Sequence, residues 1–197
     1  MTNRTESASG TGTSESAAAL TAWLASLVHN HQYGTLAELR RPRIRKEPHF
    51  RAIWYSPTEA QEEIYEQVAF LFAIYHQGRP RPDYGDGSLG EAARRIGSGP
   101  KVRGPEDPGA ARLIDRIVSS RRIPWRHLQH AVARMRACGQ RPPSWAQLAD
   151  DLSQWHDRKA RISYEWAVAF HMARAGTTRA RTSRTPDAEP IQKGTTT

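Results

Sequence analysis

Cysteine is almost absent from this 197-residue chain, which contains only Cys138. A lone cysteine excludes an internal disulfide framework and a zinc site built on cysteine ligands. Long hydrophobic runs are also missing, and no apolar segment follows a basic N-terminal start. The sequence therefore predicts neither a membrane span nor a signal peptide, and we expect a protein of the reducing cytoplasm, without a membrane partner.

Acidic residues are scarce beside basic ones, 20 against 29, which leaves a net charge of +9. The excess is concentrated in two segments. Residues 40–51 hold six basic residues and one acid, and residues 112–136 hold seven arginines and one acid. A basic segment can be no more than a solvated face, but two such clusters are typical of proteins that bind a polyanion such as nucleic acid.

Motifs for catalysis are missing as well. The sequence has no G-x-S-x-G and no phosphate-binding P-loop. His127 and His130 are spaced to share a helix face, but no carboxylate or cysteine at ligand spacing joins them, which argues against a metal site. Asp150 and Asp151 are adjacent and would point apart on a helix, so they cannot act as an acid/base pair. We predict a binding protein, not an enzyme, with neither cofactor nor metal.

Helical periodicity is present almost throughout. Leu20, Trp23, Leu24, Leu27 and Val28 recur at the spacing of one helix face. Similar faces follow, and no segment alternates convincingly as a strand. The sequence therefore predicts an all-α fold, a helical bundle of eight or nine helices on short connections.

Capping residues predict where several helices begin. Thr35 with Glu38, Ser88 with Glu91, and Ser144 with Gln147 have capping-box spacing. Further starts are predicted at Ser56-Pro57, Asp107-Pro108, Pro124 and about residue 157, with ends at Pro42, Gly78, Gly97, Gly139 and about residue 175. Four tryptophans fall on the predicted core faces, namely Trp23, Trp145, Trp155 and Trp166, and Trp125 is assigned to the core with less support.

Composition divides the chain into five segments. Residues 1–16 are rich in Thr, Ser, Gly and Glu, and residues 176–197 are rich in Thr, Arg and Pro. Both segments have almost nothing to bury, so we expect disordered tails, the second one basic. The Pro- and Gly-rich residues 98–109 are the best candidate for a linker loop. This loop would separate an N-terminal helical half, 17–97, from a C-terminal helical half, 110–175.

Four segments in a fixed order resemble the CasB family, the small subunit of the type I-E CRISPR effector complex called Cascade. They are G-T-L-A-E-L-R-R (34–41), S-L-G-E-A-A-R-R-I-G (88–97), R-L-I-D-R-I-V-S-S-R-R (112–122) and W-A-Q-L-A-D-D-L-S-Q-W-x-x-R (145–158). No single segment is specific, but their order and spacing in a basic helical chain carry the resemblance. It spans about residues 18–172.

The resemblance implies a non-catalytic helical subunit of an antiviral ribonucleoprotein. Such subunits sit as a pair of copies in Cascade, contact its large and backbone subunits, and hold guide RNA, target DNA and the displaced DNA strand of the R-loop. Basic positions of the family correspond to Arg40, Arg41, Arg112, Arg121 and Arg158. One departure is the start of the long helix. There some members carry a basic residue, whereas this chain has T-E at 58–59, so no contact is implied at that point.

A protein that holds guide and target strands of any sequence needs positive charge without base readout, because base pairing reads the sequence. The double arginine and the basic loop after it satisfy that need. The candidate nucleic-acid-binding residues, lining a basic groove, are Arg40, Arg41, Arg43, Arg45, Lys46, Arg112, Arg121, Arg122 and Arg158.

Two other functions remain open at the level of sequence. Residues 112–136 predict two basic helices joined by a short turn, as in a helix-turn-helix DNA-binding regulator, although the turn has Pro124 and no glycine. The basic surfaces could also belong to a helical scaffold for acidic protein partners. Binding to a defined operator would favour the regulator, and the absence of any nucleic-acid affinity would favour the scaffold.

Overall fold

The fold of the chain is seen in a computed structural model that describes residues 14–41, 44–97, 99 and 102–172. These residues form nine α-helices, two short 3-10 turns and no strand, so the predicted all-α fold is confirmed. None of the helices in this part of the chain is both long and apolar enough to cross a membrane. The helices are α1 (Glu15–His29), α2 (Tyr33–Leu39), α3 (Glu47–Trp54), α4 (Glu62–Tyr75), α5 (Leu89–Ala93), α6 (Pro108–Val118), α7 (Trp125–Ala137), α8 (Trp145–Ser153) and α9 (Ile162–His171).

Helix α4 is the centre of the bundle. Helices α1, α2, α3, α7 and α8 pack around it, and Val68, Ala69 and Phe72 are fully buried as a result. The ring of Trp145 on α8 meets those of Phe72 and Tyr75 edge-on, with centroids 5.3 and 5.9 Å apart. Aromatic pairs of this geometry add to the stability that burial provides.

Helix α9 organises the other side of the molecule by packing against α5 and α6. Gly90 of α5 allows the close approach, because a Cβ there would overlap the carbonyl oxygen of Trp166. The ring centroid of Trp166 on α9 lies 5.3 Å from that of Trp155. The prediction that Trp23, Trp145, Trp155 and Trp166 are core residues is confirmed, since all four are buried.

One hydrophobic cluster contains residues from both predicted halves of the chain. Leu24 and Phe72 come from the first half, Leu148 and Trp166 from the second. Trp125 packs against this cluster partly buried, and its Nε1 donates to Glu63 at 3.1 Å. The boundary at 98–109 stays a prediction.

Several helix starts agree with the capping residues. The Ser88 hydroxyl accepts from the Glu91 amide at 3.3 Å and the Glu91 carboxylate accepts from the Ser88 amide at 2.9 Å, a complete capping box. Asp107 caps α6 and Ser144 caps α8 through their side chains. Gly139 follows α7 with φ +64°, the left-handed conformation that glycine adopts most easily.

Two predicted helix starts in the first half of the chain are wrong. Helix α2 begins at Tyr33, so Thr35 lies inside the helix and caps nothing. The chain turns earlier because His31 has φ 54° and the Gln32 amide donates to the Leu27 carbonyl at 2.8 Å. Ser56 does not cap the long helix either, since its hydroxyl donates to the Thr58 carbonyl and a 3-10 turn, Glu59–Gln61, precedes α4.

Other boundaries also differ from the predictions. Helix α3 was not predicted, and α9 begins at Ile162 rather than near residue 157, because Arg161 takes a left-handed conformation with φ 49°. Helix α1 begins at Glu15, inside the segment expected as a tail, because Ser14 caps it and donates to Asp150. The predicted tail at 176–197 lies outside the described residues.

Candidate nucleic-acid interface

Three arginines gather where α4 ends, and we call them the α4-end cluster: Arg40, Arg41 and Arg136. Arg40 donates through Nη1 to the carbonyl of Ala73 at 3.5 Å, and Arg136 donates through Nη2 to the carbonyl of Gln77 at 2.8 Å. Helix C-termini present unpaired carbonyls and partial negative charge, which attract guanidinium groups. The cluster therefore joins the first basic segment to the second.

The electrostatics of Arg40 reflect this crowding. Partial burial lowers the pKa of Arg40, and the positive charges of Arg136 and Arg41 lower it further. The side chain still carries its charge, because guanidinium groups stay protonated in proteins. Like charges held this close repel one another, so an anion placed between them would be attracted.

The basic loop that precedes α3 is different, because two of its cations, Arg45 and Lys46, already have partners. Arg45 donates to both carboxylate oxygens of the buried Glu66, at 3.0 and 2.7 Å, and this hydrogen bond raises the pKa of Arg45. Lys46 donates to Glu38 at 2.6 Å. A buried carboxylate without its cation would be costly, so Arg45 has a structural role. Arg43 lies outside the described residues.

A cavity of about 790 Å³ opens between the turn after α6 and the start of α9, and we call it the α9 cavity. It brings together Arg121 and Arg158, which are far apart in sequence, and adds Arg161. In the described part of the chain these three arginines have no ion pair and no side-chain hydrogen bond, in contrast to Arg45. The lining residues are Ser120, Arg121, Trp155, His156, Asp157, Arg158, Arg161, Ile162, Ser163 and Tyr164.

The two remaining candidates are not in that cavity. Arg112 is exposed on α6, and Arg122 is exposed in the turn before α7. The carbonyl of Arg122 accepts from the Ser120 hydroxyl at 2.6 Å, which holds that turn closed. Arg116 and Arg126 line a second, smaller cavity of about 570 Å³ together with His127 and His130.

Some exposed groups were missed from the sequence. Arg136 belongs to the second basic segment, but nothing local indicated that it reaches the same helix end as Arg40. The last helix was predicted to begin near residue 157, which would have placed Arg161 and Tyr164 inside it. The sequence therefore did not indicate that both side chains line a cavity at the start of α9. Trp54 was not assigned at all, yet it is 81% exposed on α3. The basic segment just before Trp54 is the only signal in the sequence that could have indicated an exposed position near the candidate interface.

Comparison with known proteins identifies the family to which the chain belongs. Residues 35–171 match the family model described as CRISPR-associated protein Cse2. The chain belongs to the CRISPR-associated protein Cse2 family. The predicted resemblance to the CasB family is thereby confirmed, and membership implies a small subunit of a CRISPR Cascade complex.

Among solved structures, the chain is similar to one described as CasB from Thermobifida fusca. The TM-score is 0.59 at 18% identity, over 81% of this chain and 99% of that one. At this identity the likeness concerns the fold alone. Among curated proteins no sequence matches the chain.

Proposed function

We propose that this Cse2-family chain is a non-catalytic subunit that holds the guide RNA, the target DNA and the displaced DNA strand of the R-loop through its basic surfaces. The observation that carries the proposal is the α9 cavity, where Arg121 and Arg158 converge without carboxylate partners in the described residues. The large and backbone subunits of Cascade and a second copy of the chain would complete the assembly.

The chemistry supports phosphate holding over base reading. Guanidinium groups pair with phosphate oxygens through two parallel hydrogen bonds, and such contacts carry no sequence information. A helix-turn-helix regulator would concentrate its base-reading side chains on one recognition helix, whereas here arginines are spread over both α6, with Arg112 and Arg116, and α7. The regulator hypothesis is therefore the weaker one.

Salt-dependent binding tests the proposal. Wild-type protein, Arg41→Ala and the double variant Arg121→Ala/Arg158→Ala are titrated with labelled single- and double-stranded oligonucleotides of two unrelated sequences. For every phosphate that a variant no longer binds, the slope of log affinity against log salt should fall by about 0.7 to 0.9, equally for both sequences. Fluorescence anisotropy at several salt concentrations measures both the affinity and the slope.

Arg141→Ala is the matched control. Arg141 is exposed like the candidates and its removal lowers the net charge by one, as Arg41→Ala does, but Arg141 already bridges Asp83 and Asp86. We expect its binding curve to stay close to that of the wild type. The proposal fails if wild-type protein binds neither oligonucleotide at low salt, if the candidate variants keep the wild-type slope, or if affinity falls for one sequence only.

A further inference from the structure

The α9 cavity contains an aromatic ring that burial does not explain. Tyr164 is 52% exposed, and the guanidinium carbon of Arg161 lies 4.1 Å from its ring centroid. Both side chains line the cavity. A tyrosine in the first turn of a helix could have turned its ring to the core, as Trp166 does on the same helix. Instead, the ring of Tyr164 stacks with the guanidinium group of Arg161 at the surface of the cavity.

This pair differs from the other cation–π pairs in the described residues. Arg51 lies over Trp23 at 5.4 Å and Arg79 lies over Tyr75 at 4.2 Å. Both of those rings are buried core residues, so the arginine only covers them. The ring of Tyr164 is half exposed and has no such core role, so it can offer surface to a further planar group.

The charges around the pair favour a ligand that is both planar and anionic. Arg121 and Arg158 supply two guanidinium groups at the same cavity. The one carboxylate in the lining, Asp157, is turned into its own loop, since its Oδ1 accepts from the Lys159 amide at 2.8 Å. The volume of about 790 Å³ lies within the range of small-molecule and nucleotide sites.

We propose that the α9 cavity binds one unpaired nucleotide of a single strand. The base joins the Arg161–Tyr164 stack, and Arg121 and Arg158 hold the adjacent phosphates. A base inside a duplex is already covered on both faces by its neighbours, so the cavity selects single-stranded over double-stranded nucleic acid. This inference rests on the proposed function, because it assumes that the basic surfaces meet nucleic acid, and it adds which strand state the cavity recognises. An acidic peptide would use the arginines but would leave the ring unused.

The decisive variants change the ring and leave the charge unchanged. Tyr164→Ala should weaken binding to a mixed-sequence single-stranded oligonucleotide by roughly 5- to 150-fold, the range for removal of one base–aromatic stack. The same variant should bind the duplex of that sequence as the wild type does, and its salt slope should be unchanged because its arginines still bind the same phosphates. Tyr164→Phe keeps the ring and should stay within about twofold of the wild type.

Tyr84→Ala is the control for removal of an exposed tyrosine. Tyr84 is exposed to a similar degree, at 55%, but lies in a loop beside Asp83 and Asp86. Its single-strand affinity should match the wild type. Circular dichroism of all variants checks that the fold is retained, and polyglutamate serves as an acidic-peptide probe in competition with the oligonucleotide.

The outcomes separate this inference from the proposed function. If wild-type protein binds oligonucleotides and Tyr164→Ala keeps full single-strand affinity, or loses single- and double-strand affinity equally, the inference is overturned and the proposed function stands. Unchanged oligonucleotide binding by Tyr164→Ala, with polyglutamate binding abolished in Arg121→Ala/Arg158→Ala, would assign the cavity to an acidic peptide. If no oligonucleotide binds the wild type, the proposed function itself fails.

Discussion

The α4-end cluster and the α9 cavity both gather arginines, but the two regions use them differently. In the cluster, Arg40 and Arg136 bond the backbone carbonyls of Ala73 and Gln77. In the cavity, the guanidinium groups of Arg121 and Arg158 have no such partner among the described residues. Arginine density in the sequence is therefore a poor guide to available donors, because helix ends and distant carboxylates engage some of them.

A titratable group accompanies each region, buried in one case and partly buried in the other, and the two respond to pH in opposite directions. His76 follows the last residue of α4, next to Gln77, whose carbonyl accepts from Arg136, and burial lowers the pKa of His76 to about 4. Asp151 accepts from the Trp166 indole of α9 at 2.7 Å, and burial raises its pKa to about 6. In both cases the buried environment disfavours the charged form, because low polarity penalises charge.

The largest effect is expected at the contact between α5 and α9. Gly90→Ala forces a methyl group into the Trp166 carbonyl and should destabilise the fold by about 3 kcal/mol while displacing the helix that carries Tyr164. Gly34→Ala is the control, because a Cβ at that helical position meets nothing within 4 Å. Thermal melts followed by circular dichroism measure both, and equal melting temperatures for the two variants would contradict the prediction.

A pH profile of stability compares the two titratable groups. As pH falls from about 6.5 to 4, His76 is protonated in the unfolded chain but stays neutral in the folded state, so stability decreases. As pH falls from about 6 to 4, the folded state binds a proton at Asp151 more tightly than the unfolded state, whose pKa is about 3.9, so stability increases. The two changes oppose each other, and the wild-type profile should be shallow in this window.

Asp151→Asn removes one side of that balance. Asparagine still accepts from the Trp166 indole but cannot ionise, so the variant should gain on the order of 2 kcal/mol at pH 8, where the wild-type carboxylate is charged. Its advantage should vanish near pH 4, which makes its decline in stability on acidification steeper. Urea unfolding at several pH values measures the difference, and parallel profiles for variant and wild type would refute the assignment.

The smallest effect concerns two residues in left-handed conformation. Arg161 and His31 have φ of 49° and 54°, so glycine at either position should add about 0.5 to 1 kcal/mol of stability. Arg161→Gly should nevertheless weaken single-strand binding, because it removes the cation from the Tyr164 stack. His31→Gly should leave binding unchanged. If Arg161→Gly binds as the wild type does, the Arg161 side chain takes no part in binding the single strand.

Local signals in the sequence predicted a good part of this protein. Helical periodicity, the box of Ser88 with Glu91 and the caps at Asp107 and Ser144 act over a few residues, so they could be recognised without the fold. The buried tryptophans could be recognised for the same reason. The family followed from the order of four segments, which is also a property of the sequence.

Long-range contacts determined the rest. The helix starts predicted at Thr35 and near residue 157 are wrong because left-handed residues, His31 and Arg161, turn the chain at places that propensity does not mark. Glu66 lies 21 positions from Arg45, and because of this separation the sequence did not indicate that Arg45 is paired with a carboxylate of the protein itself.

The sequence alone determined the helical class of this protein, its positive charge and its family, because periodicity, composition and segment order are local or additive properties. Tertiary structure decided which arginines remain available. Availability depends on the packing of α9 against α5 and α6, which brings Arg121 and Arg158 to one cavity beside Tyr164. A guanidinium group is available only if no carboxylate or carbonyl lies within hydrogen-bond reach, and that is a property of distances in space.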